Sequence, residues 1–270
     1  MKLKSLSAIA LVCTLSVSIF AKDAVKSDAV VLKADYSGAH KWLYSIQYTS
    51  QGNFRQKSSN TAKTTEIKCL FSGEKTPAKK LAVHVDSVAI KSDIYSQDLQ
   101  KEIKDKLVKA NYSLSLANGF PSIDTSMEIP ASSYLEWDLY RQLSKLLPLL
   151  PPKPVKPGFN WERMNVFPMK TARGTESCEV YRNYTLDKVS SDTAMISWKF
   201  RYAGSKKAAD STADVNEIPV FGTGNGAAML NIKTGCIISA EMNFTTPVAV
   251  VGDVSIVWHE NAVITLVGIK

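Results

Sequence analysis

The segment from Ser132 to Trp161, SSYLEWDLYRQLSKLLPLLPPKPVKPGFNW, separates two stretches of the chain that read mostly as β-strands. Leucines recur in its first half at spacings of three and four, which predicts one amphipathic helix. Ser133 and Glu136 have the spacing of a capping box at the start of that helix. Pro148 ends the helix, and the prolines up to Pro157 favour a stiff, extended segment that holds its ends apart. We therefore predict a helix that covers one sheet and a connector that brings Trp161 to the next strand. The predicted stripe consists of Leu135, Leu139, Leu143 and Leu146.

On both sides of this segment apolar and polar residues alternate with period two, as they do in half-buried β-strands. Gln51–Asn53 is a turn signal that predicts the end of the first long strand, and Ser190–Asp192 separates two strands of a later hairpin. The predicted fold class is mainly β (α+β), with curved antiparallel sheets and one or two covering helices. The two halves are either similar units that arose by duplication or hairpins that resemble each other by default. The strongest aromatic faces consist of Trp42, Tyr44 and Tyr48 in the first half, and of Trp198, Phe200 and Tyr202 in the second.

Three local features refine this layout. A phase slip after Val85 predicts a β-bulge near Asp86–Ser87. Residues Ser96–Val108 have the periodicity of a second helix, although they also fit a charged excursion between strands. The run GTGNG at Gly222–Gly226 resembles a phosphate loop, but no Lys-Ser/Thr follows and a strand comes next, so we interpret it as a flexible approach to a hairpin.

The first 21 residues have the composition of a cleavable signal peptide. Lys2 and Lys4 precede a short apolar run, and the stretch ends at the small residue Ala21. Val12 stands where a lipobox before Cys13 needs a small residue, so lipidation is not favoured. We predict export to the periplasm or the extracellular space and four segments in the chain: 1–21 leader, 22–131 N-terminal β-rich unit, 132–160 helix and connector, and 161–270 C-terminal β-rich unit.

Composition narrows the set of partners. The chain is 45% hydrophobic and 21% charged, as a globular protein is. Its net charge of +8 falls to +6 without Lys2 and Lys4, and the remaining basic residues are spread out rather than clustered. The sequence has no stripe of basic and aromatic residues, so it does not predict a nucleic-acid partner. No stretch after the first 21 residues is apolar enough to span a membrane.

Three cysteines follow the leader. Export permits a disulfide, and Cys178 with Cys236 is the best pair because both lie in the second half beside predicted strands. The alternative is that Cys69, Cys178 and Cys236 are all small buried apolar residues.

The sequence contains no motif that predicts catalysis, a metal site or a cofactor. His84 and Asp86 share a strand face, which is the arrangement closest to an acid–base pair, but a solvent-facing strand explains it equally well. The sequence contains no G-x-S-x-G nucleophile elbow that would predict covalent catalysis. We expect no catalytic residues and no cofactor.

Leu150-Pro151 and Pro154-Val155-Lys156-Pro157-Gly158-Phe159-Asn160-Trp161 carry a family resemblance. The segment resembles a Leu-Pro plus Pro-Val-Lys-x-Gly-x-x-Trp pattern of exported bacterial proteins known chiefly as domains of unknown function. The layout is more distantly similar to the curved sheet and covering helix of periplasmic lipoprotein-carrier proteins. That resemblance implies an envelope location and an apolar ligand groove, and it implies no catalytic residue.

Two functional hypotheses follow. In the first, a non-enzymatic envelope protein binds a lipid or another apolar or amphipathic ligand on a curved sheet, with the two aromatic faces as the binding surface. In the second, the protein is a structural or protein-interaction module of the envelope and those faces are core. An enzyme ranks third.

Overall fold

A computed structural model describes residues 28–56, 59–77, 80–109, 111–115, 122–123, 139–171, 174–204, 220–246, 249–251 and 253–270. Within these ranges the chain forms twelve strands and two helices. Their order is β1 Lys41–Gln56, β2 Ser59–Lys75, β3 Lys80–Ser92, α1 Gln97–Lys109, β4 Asn111–Ser115, β5 Ser122–Ile123, α2 Leu139–Leu146, β6 Asn160–Thr171, β7 Gly174–Ser190, β8 Thr193–Gly204, β9 Val220–Asn231, β10 Ile237–Thr245, β11 Ala249–Val251 and β12 Val254–Ile269.

All twelve strands belong to one antiparallel sheet. Its order is β5-β4-β3-β2-β1-β12-β10-β9-β8-β7-β6, and β11 pairs with β12. The two halves of the chain meet where β1 pairs with β12, from Trp42 opposite Ile269 to Arg55 opposite Ser255. The predicted mainly β class with covering helices is confirmed. The two halves nevertheless share one sheet, because β12, the last strand of the chain, pairs with β1, the first.

Alternation along the strands produces one apolar face, called the core face, and one polar face, called the outer face. In β8, for example, Ala194, Ile196 and Trp198 are buried while Met195 and Lys199 are exposed. The core-face residues of both halves belong to one continuous cluster. Burial of this face is the main stabilising term of the fold, since each fully buried large apolar side chain contributes about 1.5–3 kcal/mol.

The β-bulge predicted near Asp86–Ser87 is confirmed. Leu70 lies opposite Ser87 and Phe71 lies opposite Val85, so Asp86 is the extra residue in β3. The bulge returns Val88 to the same face as Val85, which is why both side chains are buried.

One prediction about glycines is wrong: the turn signal at Gln51–Asn53 does not end β1, which continues to Gln56. The strand predicted from Gly224 to Ile232 is confirmed as β9, which begins earlier, at Val220, so all three glycines of GTGNG lie inside it. A Cβ atom at Gly52 would lie 2.6 Å from the Trp258 ring, and one at Gly224 would lie 2.4 Å from the Phe200 ring. Glycine is therefore needed at these positions because aromatic rings from neighbouring strands lie across the backbone.

The helix predicted at Ser96–Val108 is confirmed as α1. The Ser96 hydroxyl accepts a 3.3 Å hydrogen bond from the Leu99 backbone N–H, as an N-cap residue does. Ile103 and Leu107 are buried, and α1 packs on β3. The charged residues between them face solvent, so this segment is a covering helix rather than a mobile excursion.

The predicted stiff connector does not act as a spacer. Leu149 and Leu150 are buried, and Val155 exchanges two backbone hydrogen bonds with Val30, at 2.8 and 2.9 Å. The Trp161 indole N–H donates to the Leu149 carbonyl at 2.6 Å. The apolar residues of the segment therefore pack on the core face, while Pro152, Lys153, Pro154 and Lys156 are exposed.

The leucine stripe covers the core face as predicted at its three described positions. Leu139, Leu143 and Leu146 of α2 are 0–2% exposed. The leader 1–21, the capping box at Ser133 and Glu136, and Leu135 lie outside the described residues. Neither described helix is long and apolar enough to cross a membrane.

Candidate functional site

The six aromatic residues predicted to bind a ligand all lie on the core face. The structure brings the two groups onto one sheet but not into one cluster. Trp198, Gly226, Met242, Ala262 and Tyr48 form one cross-strand row, which places Trp198 and Tyr48 four strand spacings, about 19 Å, apart. The exposed fractions are 0–8% for Trp42, Tyr44, Tyr48, Trp198, Phe200 and Tyr202.

Packing accounts for the burial of the first aromatic group. Trp42 meets Tyr36 edge-to-face with ring centroids 5.1 Å apart, and Tyr44 stacks on Phe71 at 5.5 Å. The Tyr44 hydroxyl donates to the Ile237 carbonyl at 2.9 Å. This hydrogen bond joins the two halves across the core face.

The second group packs around Phe244. Phe200 stacks on Phe244 at 5.9 Å, and Tyr202 meets Phe244 edge-to-face at 5.4 Å. Trp198 contacts Tyr184, which in turn stacks on Trp161. In this closed arrangement the aromatic side chains form core, so a ligand reaches them only if their cover moves.

One cross-strand row of the core face is polar. Following the strand register from β7 to β3, it contains Arg182, Phe200, Gly224, Phe244, Glu260, Ser50, Thr65 and Ser92, and we call it the polar row. Four residues further along the strands, about 13 Å away, a parallel row contains Ile196, Ala228, Ala240, Ile264, Ile46 and Cys69, all of them apolar and buried. The core face is therefore amphipathic along the strand direction.

Helix α2 is tied to the polar row by an ion pair. Lys145 Nζ lies 2.6 Å from Glu260 Oε2, and the side chains are 11% and 17% exposed. The same ammonium lies 4.8 Å from the centroid of the Phe244 ring and 5.9 Å from that of Tyr202. Low exposure makes the loss of either partner costly, because the other charge would be left unpaired away from water.

A second cation, Arg182, lies in the polar row with 4% exposure. Its Nη1 group lies 3.4 Å from the Tyr184 hydroxyl. Burial raises the pKa of Tyr184, and burial followed by the nearby Glu260 carboxylate raises the pKa of Tyr48 well above its usual value. Both phenols are neutral at pH 7, so they can donate hydrogen bonds in this layer.

Two further polar atoms, one on α2 and one on β8, are buried without a hydrogen-bond partner in the described structure. They are Gln142 Oε1 on α2 and Trp198 Nε1 on β8. An unpaired buried polar atom costs about 1–3 kcal/mol. One is an acceptor and the other a donor, so a ligand with both kinds of group could satisfy them.

Our sequence predictions missed Lys145, Arg182 and Glu260. A signal for two of them was present. Arg182 has the same phase as buried Val180 and Tyr184, and Glu260 continues the phase of Ala262. A charged residue in the apolar phase of a strand indicates a buried polar site, whereas Lys145 on a short helix gives no comparable signal.

The cysteine pair predicted to form a disulfide is not brought together. Cys236 is a free buried thiol, 3.0 Å from the Thr234 hydroxyl. Backbone pairing places Cys178 opposite Gly204, at the far end of β8 from Ala194, whereas Cys236 precedes Ile237, which aligns with Leu230 and thus with Ala194. Cys69 is likewise free, and burial raises the pKa of its thiol to about 12.

No family model matches the chain, and no curated protein matches it. Two solved structures are distant neighbours. One, from Vibrio parahaemolyticus, is provisionally described as an outer membrane lipoprotein-sorting protein domain, with 11% identity, a TM-score of 0.16, and coverage of 88% of this chain and 87% of that chain. The other is a DUF1329 family protein from Desulfovibrio piger, with 6% identity, a TM-score of 0.19, and coverage of 87% and 89%. These values are too low for either likeness to bear on function.

Proposed function

We propose that the protein is an exported envelope protein that binds an amphipathic ligand on the core face of its sheet. The apolar chain of the ligand would extend over the row that contains Ile46 and Ile264, and its headgroup would meet the polar row. The observation that carries this proposal is an apolar sheet face that ends at the buried cation Arg182 and at the ion pair between Glu260 and Lys145 of α2. Plain packing of a core does not require charges there, since burying a charge is unfavourable.

Entry of a ligand requires displacement of α2. This helix has only eight residues, and its described anchors are the leucine stripe and the Lys145–Glu260 ion pair. The unpaired atoms of Gln142 and Trp198 make the closed form less favourable by about 1–3 kcal/mol each. A headgroup that pairs with them would offset part of the cost of lifting α2.

Arg182 in the polar row and Lys145 on α2 outnumber the one described carboxylate beside them, Glu260, and so predict a preference for an anionic headgroup. The test uses two fluorescent probes with the same acyl chain, one ending in a carboxylate and one in an alcohol. We expect the carboxylate probe to bind at least about tenfold more tightly. In Arg182→Met this preference should fall to within about threefold, whereas Lys188→Met, on the exposed part of β7, should retain it.

Thermal unfolding of both variants serves as the folding control. If neither probe binds the folded wild-type protein, or if the alcohol binds as tightly as the carboxylate, the proposal is wrong. Lipid co-extracted with the native protein and released on denaturation would support it independently.

A second candidate is a structural or protein-interaction module without a small ligand. The observation that favours it is the complete burial of the predicted aromatic faces. An exposed partner site is available on strand β6, at the end of the sheet order, where Met164 and Val166 are 54% and 55% exposed. Under this alternative neither probe binds, and capture of an envelope protein is lost in Met164→Lys but retained in Lys188→Met.

A further inference from the structure

One corner of the sheet extends past the core face and belongs to neither of the sites proposed above. Strand β3 ends at Ser92, opposite Thr65, whereas β2 continues to Ser59 and β1 to Gln56. Strands β11 and β12 extend beside them, so four strands form a projection that we call the tip corner. It is about 16 Å long, because the residues of β2 beyond Thr64 rise about 3.3 Å each. In the described part of the chain it consists of residues 52–56, 59–63, 249–251 and 253–258.

The core-face side of the tip corner carries three large apolar side chains. Phe54 and Trp258 meet edge-to-face with ring centroids 5.7 Å apart, and Ile256 lies opposite Phe54 in the register of β1 and β12. All three are half-buried. Among the described residues, none of them belongs to the continuous core cluster or packs against it. A sheet that only buried its core face could end at the polar row, so the core does not account for these side chains.

The charged side chains of the tip corner are few and mostly basic. Among its described residues only Arg55, Lys63 and Asp253 are charged, and all three are exposed. The sequence adds Lys57 between β1 and β2. Asp93 lies at the base of the corner, where it accepts a hydrogen bond from the backbone of β2 at 3.3 Å. With three cations against Asp253, the exposed end of the corner favours a negatively charged surface over a neutral one.

The cations lie beside the apolar side chains. Lys63 Nζ is 5.9 Å from the centroid of the Phe54 ring. Aromatic rings flanked by Lys and Arg are typical of segments that lie in the surface of a membrane, because the rings insert at the level of the headgroups and the cations contact anionic lipids.

The size of the tip corner favours a lipid surface over a protein. Three spacings of about 4.8 Å separate its outer strands, so each face measures about 14 by 16 Å, or roughly 220 Å². A stable interface with another protein or with a second copy of this chain buries about 800 Å² on each partner. Attachment to a bilayer needs only a few apolar side chains and nearby cations, which the corner supplies.

We propose that the tip corner docks the protein on the surface of an anionic lipid bilayer. Phe54, Ile256 and Trp258 would insert at the level of the headgroups, and Arg55 and Lys63 would contact lipid phosphates. This inference does not depend on the amphipathic ligand, because docking on a bilayer requires no movement of α2.

The test is flotation of the full chain with vesicles of phosphatidylcholine, either alone or with about 30% phosphatidylglycerol. We expect the wild type to bind the anionic vesicles at least about fivefold more tightly than the neutral ones. Lys63→Gln should weaken binding to the anionic vesicles by about three- to fivefold, since each basic residue near such a surface favours binding by about that factor. Lys188→Gln is the matched control, because Lys188 is exposed on β7 beyond Leu186, at the opposite end of the strands from the tip corner. It should bind as the wild type does.

Insertion of Trp258 is measured by fluorescence quenching with lipids that are brominated on their acyl chains. Anionic vesicles of these lipids should quench the wild type, and the quenching should be clearly smaller in Trp258→Phe, which keeps an aromatic ring beside Phe54. Thermal unfolding serves as the folding control, and each variant should unfold within a few degrees of the wild type.

The proposal is overturned if the wild type does not bind anionic vesicles, or if Lys63→Gln and Lys188→Gln bind them equally well. It is also overturned if quenching is the same in Trp258→Phe and in the wild type. Analytical ultracentrifugation without lipid tests the other occupant. A dimer that dissociates in Ile256→Lys would assign the tip corner to a second copy of this chain and would likewise overturn the proposal.

Discussion

Replacing Gly224 by alanine tests the packing of aromatic rings over β9. An added Cβ would lie 2.3 Å from the Asn243 carbonyl oxygen and 2.4 Å from Phe200 Cζ. A normal contact needs about 1 Å more. The oxygen belongs to the backbone of β10, and β9 is hydrogen-bonded on both sides, so side-chain rotation alone cannot relieve the clash. Overpacking of this kind costs about 1–3 kcal/mol, and we expect the upper half of that range.

For a protein of this size, 1 kcal/mol corresponds to roughly 2–4 °C in the melting temperature, so Gly224→Ala should lower it by roughly 4–12 °C. Gly268→Ala is the matched control: it also lies in a strand, but its nearest atom would be Leu43 Cβ at 3.8 Å. It should leave stability unchanged or raise it by up to about 1 kcal/mol. Melting is followed by circular dichroism and checked by urea unfolding. Equal melting temperatures for the two variants would refute the packing argument.

Three further outcomes are expected. Lys145→Met should lower the free energy of unfolding by about 3 kcal/mol, because it leaves Glu260 unpaired at low exposure. Adding Glu260→Met should recover much of this loss. A double-mutant cycle measured by urea unfolding tests this, and additive losses would contradict it. Burial raises the pKa of Tyr36 to about 12. The contribution of the neutral Tyr36 side chain to the free energy of unfolding is therefore complete below pH 10 and declines by about 1.4 kcal/mol per pH unit from there to pH 12. Denaturant midpoints across this pH range measure the decline, and a flat profile would contradict it. Burial also raises the pKa of Cys69, so its thiol should react with an aromatic disulfide reagent only after unfolding. In a variant that carries Cys13→Ala, Cys178→Ala and Cys236→Ala, Cys69 is the one remaining thiol, and fast labelling of the folded protein at pH 8 would show that it is accessible.

Local patterns predicted individual elements well. The alternation around Ile46 and Ile196 identified β1 and β8, the phase slip at Asp86 located a bulge, and the spacing of Ile103 and Leu107 identified α1. Each of these signals lies within a few residues of the element that it predicts. Short-range periodicity reflects which face of the element is buried, and burial decides these structures.

Long-range packing explains most of the failures. Gly52 has the composition of a turn, but the ring of Trp258 keeps it in a strand, and Trp258 is distant in the sequence. The connector after Pro148 has the composition of a spacer, yet its apolar residues pack on the core. The polar row is arranged by strand order, which no local pattern encodes.

The pairing of β1 with β12 has a consequence for the order in which the molecule assembles. Its partners, such as Trp42 and Ile269, are separated by roughly two hundred residues, which is a very high contact order for a central seam. Until β12 is available, the long edge of β1 has no strand to complete it and offers its backbone to other chains. We therefore expect folding to be slow and to finish only after β12 is available to pair with β1. A chain that is kept extended until then should avoid aggregation.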